Sequence, residues 1–226
     1  MACNWSPENA TKAYIRTLKM ETKETEPNAA EFISALAAGN NAQVMVAACA
    51  QKMVTPNLLA LVSAAHQTGG HVTCIVPGRE ELQSSKRALK SDSKYVNFVI
   101  GDAGQLLLNE YKDADFFLVD CNLKNYEGIM RGMHAMRREK NGVILGCNAF
   151  CKGSTWQWSG LRTHLLPIGD GLLVTRFGGE NGRDVRAGSK GVIKKSNWIV
   201  KVDKCTGEEH VFRVRSPRKL EIAAGL

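Results

Sequence analysis

The sequence predicts an α/β fold: a mostly parallel sheet with helices on both faces, ending in an antiparallel hairpin and followed by a basic C-terminal β-hairpin extension. Three observations carry this. Between Gln43 and Gly146, short continuous apolar runs recur, each separated from the next by a helix-length segment, which is the pattern of parallel strands buried on both faces. After Gly153 the rhythm stops, and two strand-length runs flank Pro167-Ile168-Gly169-Asp170-Gly171, whose Asp-Gly element reads as a hairpin turn. Beyond Gly178 the chain becomes Gly-, Arg- and Lys-rich before a second alternating pair.

Each element has its own signal. Ser6 at the N-cap, Pro7 at the first helical position and Glu8 in the first turn open a helix whose apolar face is Ala10, Ala13, Tyr14, Thr17 and Leu18. Polar residues 21–26 form a linker. Pro27 opens a second helix, with Ala30, Phe32, Ile33, Leu36 and Ala37 on its face and Gly39-Asn40-Asn41 as its stop. Residues 43–49 form the first strand, and Thr55-Pro56 starts a helix that ends at Gly69-Gly70. Strand 71–76, amphipathic helix 79–90 and strand 95–100 follow, the last closed by Gly101-Asp102-Ala103. Strand 115–120, helix 126–138 and strand 141–146 complete the parallel set, joined by right-handed crossovers. Strands 162–166 and 172–177 make the hairpin at one sheet edge. In the extension Trp198, Val200 and Val202 alternate with polar residues, Cys205-Thr206-Gly207 turns, and Val211, Phe212 and Val214 return.

Composition narrows the class. The chain has 226 residues, 44% hydrophobic and 23% charged, enough for one domain and an appendage. No apolar run approaches the roughly 20 residues of a spanning helix, and the first twenty residues contain no apolar signal region, so a soluble, unsecreted protein is expected. Seven cysteines, scattered and odd in number, fit a reducing compartment, cytoplasmic or nuclear. The net charge of +8 is concentrated late: residues 176–219 hold twelve Lys and Arg against five acids. Such an appendage is either a solvated basic surface or a site for an anionic partner, nucleic acid or acidic protein. No membrane association is expected, and the oligomeric state is left open.

The residues at the strand ends carry a resemblance. Glu31-Phe32-Ile33 precedes the first strand, Gly101-Asp102-Ala103 follows the third, Val119-Asp120 with Asn125-Tyr126 follows the fourth, and Gly142-Val143-Ile144 with Asn148 marks the fifth; Leu166-Pro167-Ile168-Gly169-Asp170-Gly171-Leu172 forms the hairpin. Together these resemble class I S-adenosylmethionine-dependent methyltransferases, with their Rossmann-like fold, and especially the caffeoyl-CoA and catechol O-methyltransferase group. The likeness covers about residues 28–177. Trp5-Ser6-Pro7-Glu8, Ala13-Tyr14 and the basic extension are similar, more narrowly, to a plant-specific family of unknown function. The chain is thus divided into an N-terminal helix and linker (1–27), a methyltransferase-like domain (28–177) and a basic loop and hairpin extension (178–226).

The resemblance implies a cofactor crevice at Ala48, Gly101, Asp102, Ala103, Asp120 and Cys121, with S-adenosylmethionine as the ligand. It also exposes departures. The loop that approaches the methionine part of the cofactor is Ala47-Ala48-Cys49-Ala50-Gln51-Lys52-Met53, without a glycine. The acid expected to take the ribose hydroxyls falls at Val76 or Pro77, with Glu80 or Glu81 as substitutes one helical turn later. The metal positions are Asp120, Cys147 and Asn148, and a thiol in place of a carboxylate is a poor ligand for a hard cation, so no metal is expected. The substrate-deprotonating lysine matches Leu123, with Lys124 turned about 100° away on a helical start.

Other chemistry finds less support. Cys121, Cys147 and Cys151 at neighbouring strand ends are either a soft-metal cluster or buried small hydrophobes. The five histidines show no HxxxH spacing, and no GxSxG or phosphate-loop pattern occurs. Asp102 and Asp120 either face the crevice or cap the following helices. Trp156 and Trp158, with Lys152 and Arg162, either line a substrate mouth or cover the sheet end. Two functions follow: a methyltransferase-like protein with a degenerate cofactor and metal site, or a non-catalytic binding or regulatory module acting through its basic extension.

Overall fold

The structure is a computed structural model of the chain, and it describes residues 5–20, 28–50, 55–136, 142–152, 163–177, 197–202 and 209–214. The linker at 21–26, loop residues 51–53, Trp156, Trp158, Arg162, the basic loop 178–191 and the turn 205–207 lie outside these, as do the side chains of Cys151 and Lys152.

Helix α1 (Pro7–Met20) begins as its sequence dictates, with Ser6 Oγ accepting from Asn9 N at 3.3 Å. It buries Ala10, Ala13 and Thr17 and packs on α2 (Ala29–Gly39) and α3 (Thr55–Thr68). Leu18, expected on the apolar face, is instead 37% exposed, because the contact runs along that narrow stripe of small residues. The start of α2 also differs from expectation. Asn28, not Pro27, caps it in a capping box: Glu31 Oε2 accepts from Asn28 N at 2.7 Å while the Asn28 side chain takes the first-turn amides.

Strands β1 (Val44–Ala48), β2 (His71–Val76), β3 (Val96–Ile100), β4 (Phe116–Asp120) and β5 (Gly142–Cys147) are parallel; β6 (Thr163–Leu166) and β7 (Leu172–Phe177) are the antiparallel hairpin, with β7 against β5. Sheet order is β3-β2-β1-β4-β5-β7-β6. Chain direction on the sheet therefore reverses between β1 and β4, the position at which open α/β sheets bind ligands. Observed limits fall within a residue or two of the expected ones. Helix α4 (Arg79–Leu89) stops one residue early, at Lys90 with φ +51°, and a 3₁₀ turn (Lys90–Tyr95) leads into β3. Helix α5 (Ala103–Asn109) and α6 (Tyr126–Met136) connect β3, β4 and β5.

Two apolar clusters flank the sheet. One joins Met45, Leu118 and Leu145 to Ile33, Leu36, Leu58 and Leu61 of α2 and α3. The other joins Phe117, Val119 and Ile144 to Leu107, Tyr126, Met130 and Met133 of α5 and α6. Alternate residues of each strand point to opposite faces, so both faces of the central strands are buried and their sequences read as unbroken apolar runs.

The chain forms two compact units, Met1–Gly182 and Arg183–Leu226. In the second, β8 (Asn197–Val202) pairs antiparallel with β9 (Glu209–Val214), Val200 opposite Val211. Among the described residues no helix is long and apolar enough to cross a membrane.

Candidate functional site

The C-terminal ends of β1, β4 and β5 meet around Asp120. The register sets Asp120 opposite Cys147, and β1 pairs with β4 up to Ala48 against Val119. Asp120 is only 6% exposed, yet its carboxylate is well partnered. Oδ1 accepts from Asn122 N at 2.9 Å and from Asn148 Nδ2 at 3.0 Å, and Oδ2 accepts from Ala50 N at 3.3 Å. One side chain thus ties together the exits of three strands. Asn148 reaches it from a left-handed backbone, φ +60°, a conformation asparagine tolerates better than most residues.

The thiols sit deeper. Cys121 and Cys147 are buried in different apolar clusters, one on each side of the sheet. Cys147 Sγ donates to Val119 O at 3.7 Å, and burial together with the neighbouring charge of Asp120 pushes its pKa well above the ordinary thiol range. A neutral, buried thiol between an aspartate and an asparagine that bond each other is a poor donor set for Mg²⁺ or Ca²⁺. Among the described residues no group of three or more His, Cys, Asp and Glu is placed to hold a metal ion.

Behind the crevice, Tyr126 fills the space beside Gly146. A Cβ on Gly146 would collide with Tyr126 Oη and come within 3.1 Å of Cys121 Sγ. Tyr126 is 1% exposed, and burial, then the adjacent Cys121, raises its phenol pKa. Gly146 is therefore required by packing rather than by backbone angle.

On the other side of the switch point, Asp102 caps α5, its Oδ1 accepting from Gln105 N at 2.7 Å, and its side chain is exposed. The capping role weighed for this residue is realised. Asp120 does not take the capping role weighed for it, since α6 starts six residues later at Tyr126; its carboxylate accepts across strands instead. Gly101 N donates to Val76 O at 3.1 Å, which keeps the third strand's exit against the second. Ala48 and Cys121 are fully buried and Ala103 is 8% exposed, so any ligand would meet these three through backbone edges. Val76 is buried, Pro77 and Glu80 are exposed, and Glu81 is half-buried. The Glu81 carboxylate folds back over Gly78, 2.8 Å from where a Cβ would be. This places Glu81, of the two acids considered, beside the end of β2. Leu123 is 9% exposed and Lys124 is exposed. Sequence reasoning did not single out the amide of Ala50, since backbone donors leave no residue-type signature.

A family profile described as protein of unknown function (DUF1442) matches residues 1–214. The chain belongs to the DUF1442 family. A comparison with curated protein sequences finds no match. Among solved structures, this DUF1442 chain is similar to a methyltransferase from Geobacter sulfurreducens, at 17% identity and TM-score 0.52, over 76% of this chain and 91% of that one. It is similar to a putative caffeoyl-CoA O-methyltransferase from Staphylococcus aureus, at 16% identity and TM-score 0.52, over 76% and 93%. A methyltransferase from Podospora anserina with bound S-adenosylhomocysteine matches at 16% identity and TM-score 0.51, over 76% and 89%. At these identities the likeness establishes the fold. This DUF1442 protein has the Rossmann-like methyltransferase fold, as its strand-end residues implied.

Proposed function

We propose that the protein is an S-adenosylmethionine-dependent methyltransferase-like protein whose crevice takes an S-adenosyl ligand without a metal, metal-dependent O-methylation having been lost. The observation that carries this reading is the closed set of hydrogen bonds on Asp120. The carboxylate that would hold a cation already accepts from Ala50 N, Asn122 N and Asn148 Nδ2, and its neighbour Cys147 is a neutral thiol. The same bond from Ala50 engages a backbone amide of the glycine-free loop, which weakens any hold on the methionine half. The adenosine half would then rest on Gly101, Asp102 and Ala103, with Glu81 facing the ribose hydroxyls. S-adenosylmethionine and S-adenosylhomocysteine are the ligands to test, since the latter is bound in the Podospora protein of the same fold.

Calorimetric titration with both ligands, in EDTA and in Mg²⁺, decides the matter. Binding that is equal in the two media is expected. Binding or catechol methylation that appears only with Mg²⁺ would overturn the metal-free assignment, and no binding at millimolar ligand would overturn the cofactor assignment.

One observation favours a second reading, a non-catalytic binding module. Twelve Lys and Arg against five acids in residues 176–219 suit an anionic partner. RNA binding that weakens steeply with salt and vanishes in a chain ending at Phe177 would support it; unchanged binding after that truncation would sink it. A cytoplasmic or nuclear setting is part of the proposal, testable by localising the tagged full chain.

A further inference from the structure

Among the described residues the second unit, Arg183–Leu226, contains only β8 and β9, which form a two-stranded sheet of their own. Two strands bury too little to make a core, so such a ribbon gains from a partner laid on one of its faces. Resting on the reading of the extension as a site for an anionic partner, we propose that the open end of this ribbon, where β8 begins and β9 ends, binds single-stranded nucleic acid. Trp198 takes an unpaired base and the cations around it take the phosphates.

The register decides which residues share a face, because directly opposed residues of an antiparallel pair lie on the same side. Trp198, Val200 and Val202 share one face with Arg213, Val211 and Glu209; Asn197, Ile199 and Lys201 share the other with Val214, Phe212 and His210. Val200 with Val211 and Ile199 with Phe212 are apolar cross-strand pairs, one on each face, of the kind that hold a ribbon together. Trp198 with Arg213 differs, an aromatic opposite a cation and one pair in from the open end. Ring for base and cation for phosphate is the combination that single-strand sites use. Charge is sorted along the same axis. The acids nearest the ribbon in sequence, Asp203, Glu208 and Glu209, all stand at its turn end, whereas residues 185–202 and 210–220 hold nine Lys and Arg and no acid. Lys194, Lys195 and Arg215 are within three residues of the Asn197–Val214 pair, so the chain cannot carry them more than about 10 Å from it. Phosphates are thus attracted to the open end and repelled from the turn. A duplex, whose bases are already stacked on one another, offers Trp198 no ring face; a single strand offers bases and phosphates together.

The probes are short oligo(U) and oligo(dT), titrated into the full chain over a range of salt, with a duplex and an abasic strand of the same length alongside. Saturable binding of the single strands is expected, about fivefold or more tighter than the duplex or the abasic strand, and the tighter of the two identifies the sugar. Trp198→Val, which keeps a strand-forming residue and removes the ring, should cost about fivefold or more for oligo(U) and leave the abasic strand unaffected; Trp198→Phe should recover most of that loss. Lys194→Ala, Lys195→Ala and Arg215→Ala together should flatten the slope of log affinity against log salt by about 2. Binding of none of these polyanions would overturn the anionic-partner reading, and this site with it. Equal binding of the abasic strand or the duplex, or unchanged affinity for oligo(U) in Trp198→Val, would leave that reading standing and overturn the base-binding site. Displacement of oligo(U) by a polyglutamate peptide of equal affinity would overturn it in favour of an acidic protein.

Discussion

Asn148 donates its side-chain amide to the Asp120 carboxylate at 3.0 Å, across the exits of two neighbouring strands. The same carboxylate holds Ala50 and Asn122, so removing it leaves three donors at the strand exits without their acceptor and uncouples those exits. Asp120→Ala should destabilise the protein by about 1–3 kcal/mol, measured by urea unfolding. Stability within error of the parent would show that the three bonds do not hold the strand ends. Asn148→Gly and Asn148→Ala separate two contributions. Both lose the bond, but only alanine adds the strain of a left-handed backbone, about 1 kcal/mol, so the alanine variant should be the less stable.

Gly146 and Tyr126 compete for one volume. Gly146→Ala should cost about 1–3 kcal/mol by overpacking. Tyr126→Phe removes the oxygen that the new methyl would meet, so the double variant should recover much of that loss in a double-mutant cycle. Simple additivity of the two single changes would contradict the packing described.

Alkaline pH should unfold the protein through its buried thiols. Cys74, through its contact with Cys49 and then burial, and Cys147, through burial and then Asp120, have folded pKa values raised above the ordinary 9.0. In the unfolded chain both ionise near that value while the folded chain keeps its protons, so the folded state binds more protons and stability falls as pH rises. The contribution is intact below about pH 9 and declines above it by roughly 2–3 kcal/mol per pH unit for the two groups together. Urea midpoints at pH 8, 9 and 10 measure it; the decline should shrink in Cys74→Ala with Cys147→Ala, and a flat profile in the parent chain would overturn the prediction.

The capping box on α2 offers a local test. Asn28→Ala should cost about 1 kcal/mol and Glu31→Gln less, since glutamine keeps an acceptor for the Asn28 amide. Equal losses in the two variants would mean that the box acts through charge.

Much of the fold was legible because the central strands are buried on both faces: Phe116 to Asp120 and Gly142 to Cys147 read as continuous apolar runs for that reason. Turn chemistry fixed the hairpin, where Gly169 and Gly171 take φ of +55° and +84°. Leu18 was misplaced because helical periodicity gives a face but not its width. The helix start at Asn28 was obscured by Pro27, whose signal as a helix opener overrode that of a better cap next to it. At the site, Asp120 and Cys147 were recognisable by type and position. Their partners were not, since a hydrogen bond to the amide of Ala50 and the choice of Asn148 as donor depend on strand register and backbone angle.

The indole of Trp5 lies on Gly39 so closely that any side chain there would displace it, and Ser6 N donates to Gly39 O at 2.7 Å. Beyond this anchor α1 rests on α2 and α3, one layer removed from the sheet. It can therefore lift away without breaking a single strand pair, and hydrogen exchange in α1 would then run ahead of exchange in β1 and β4.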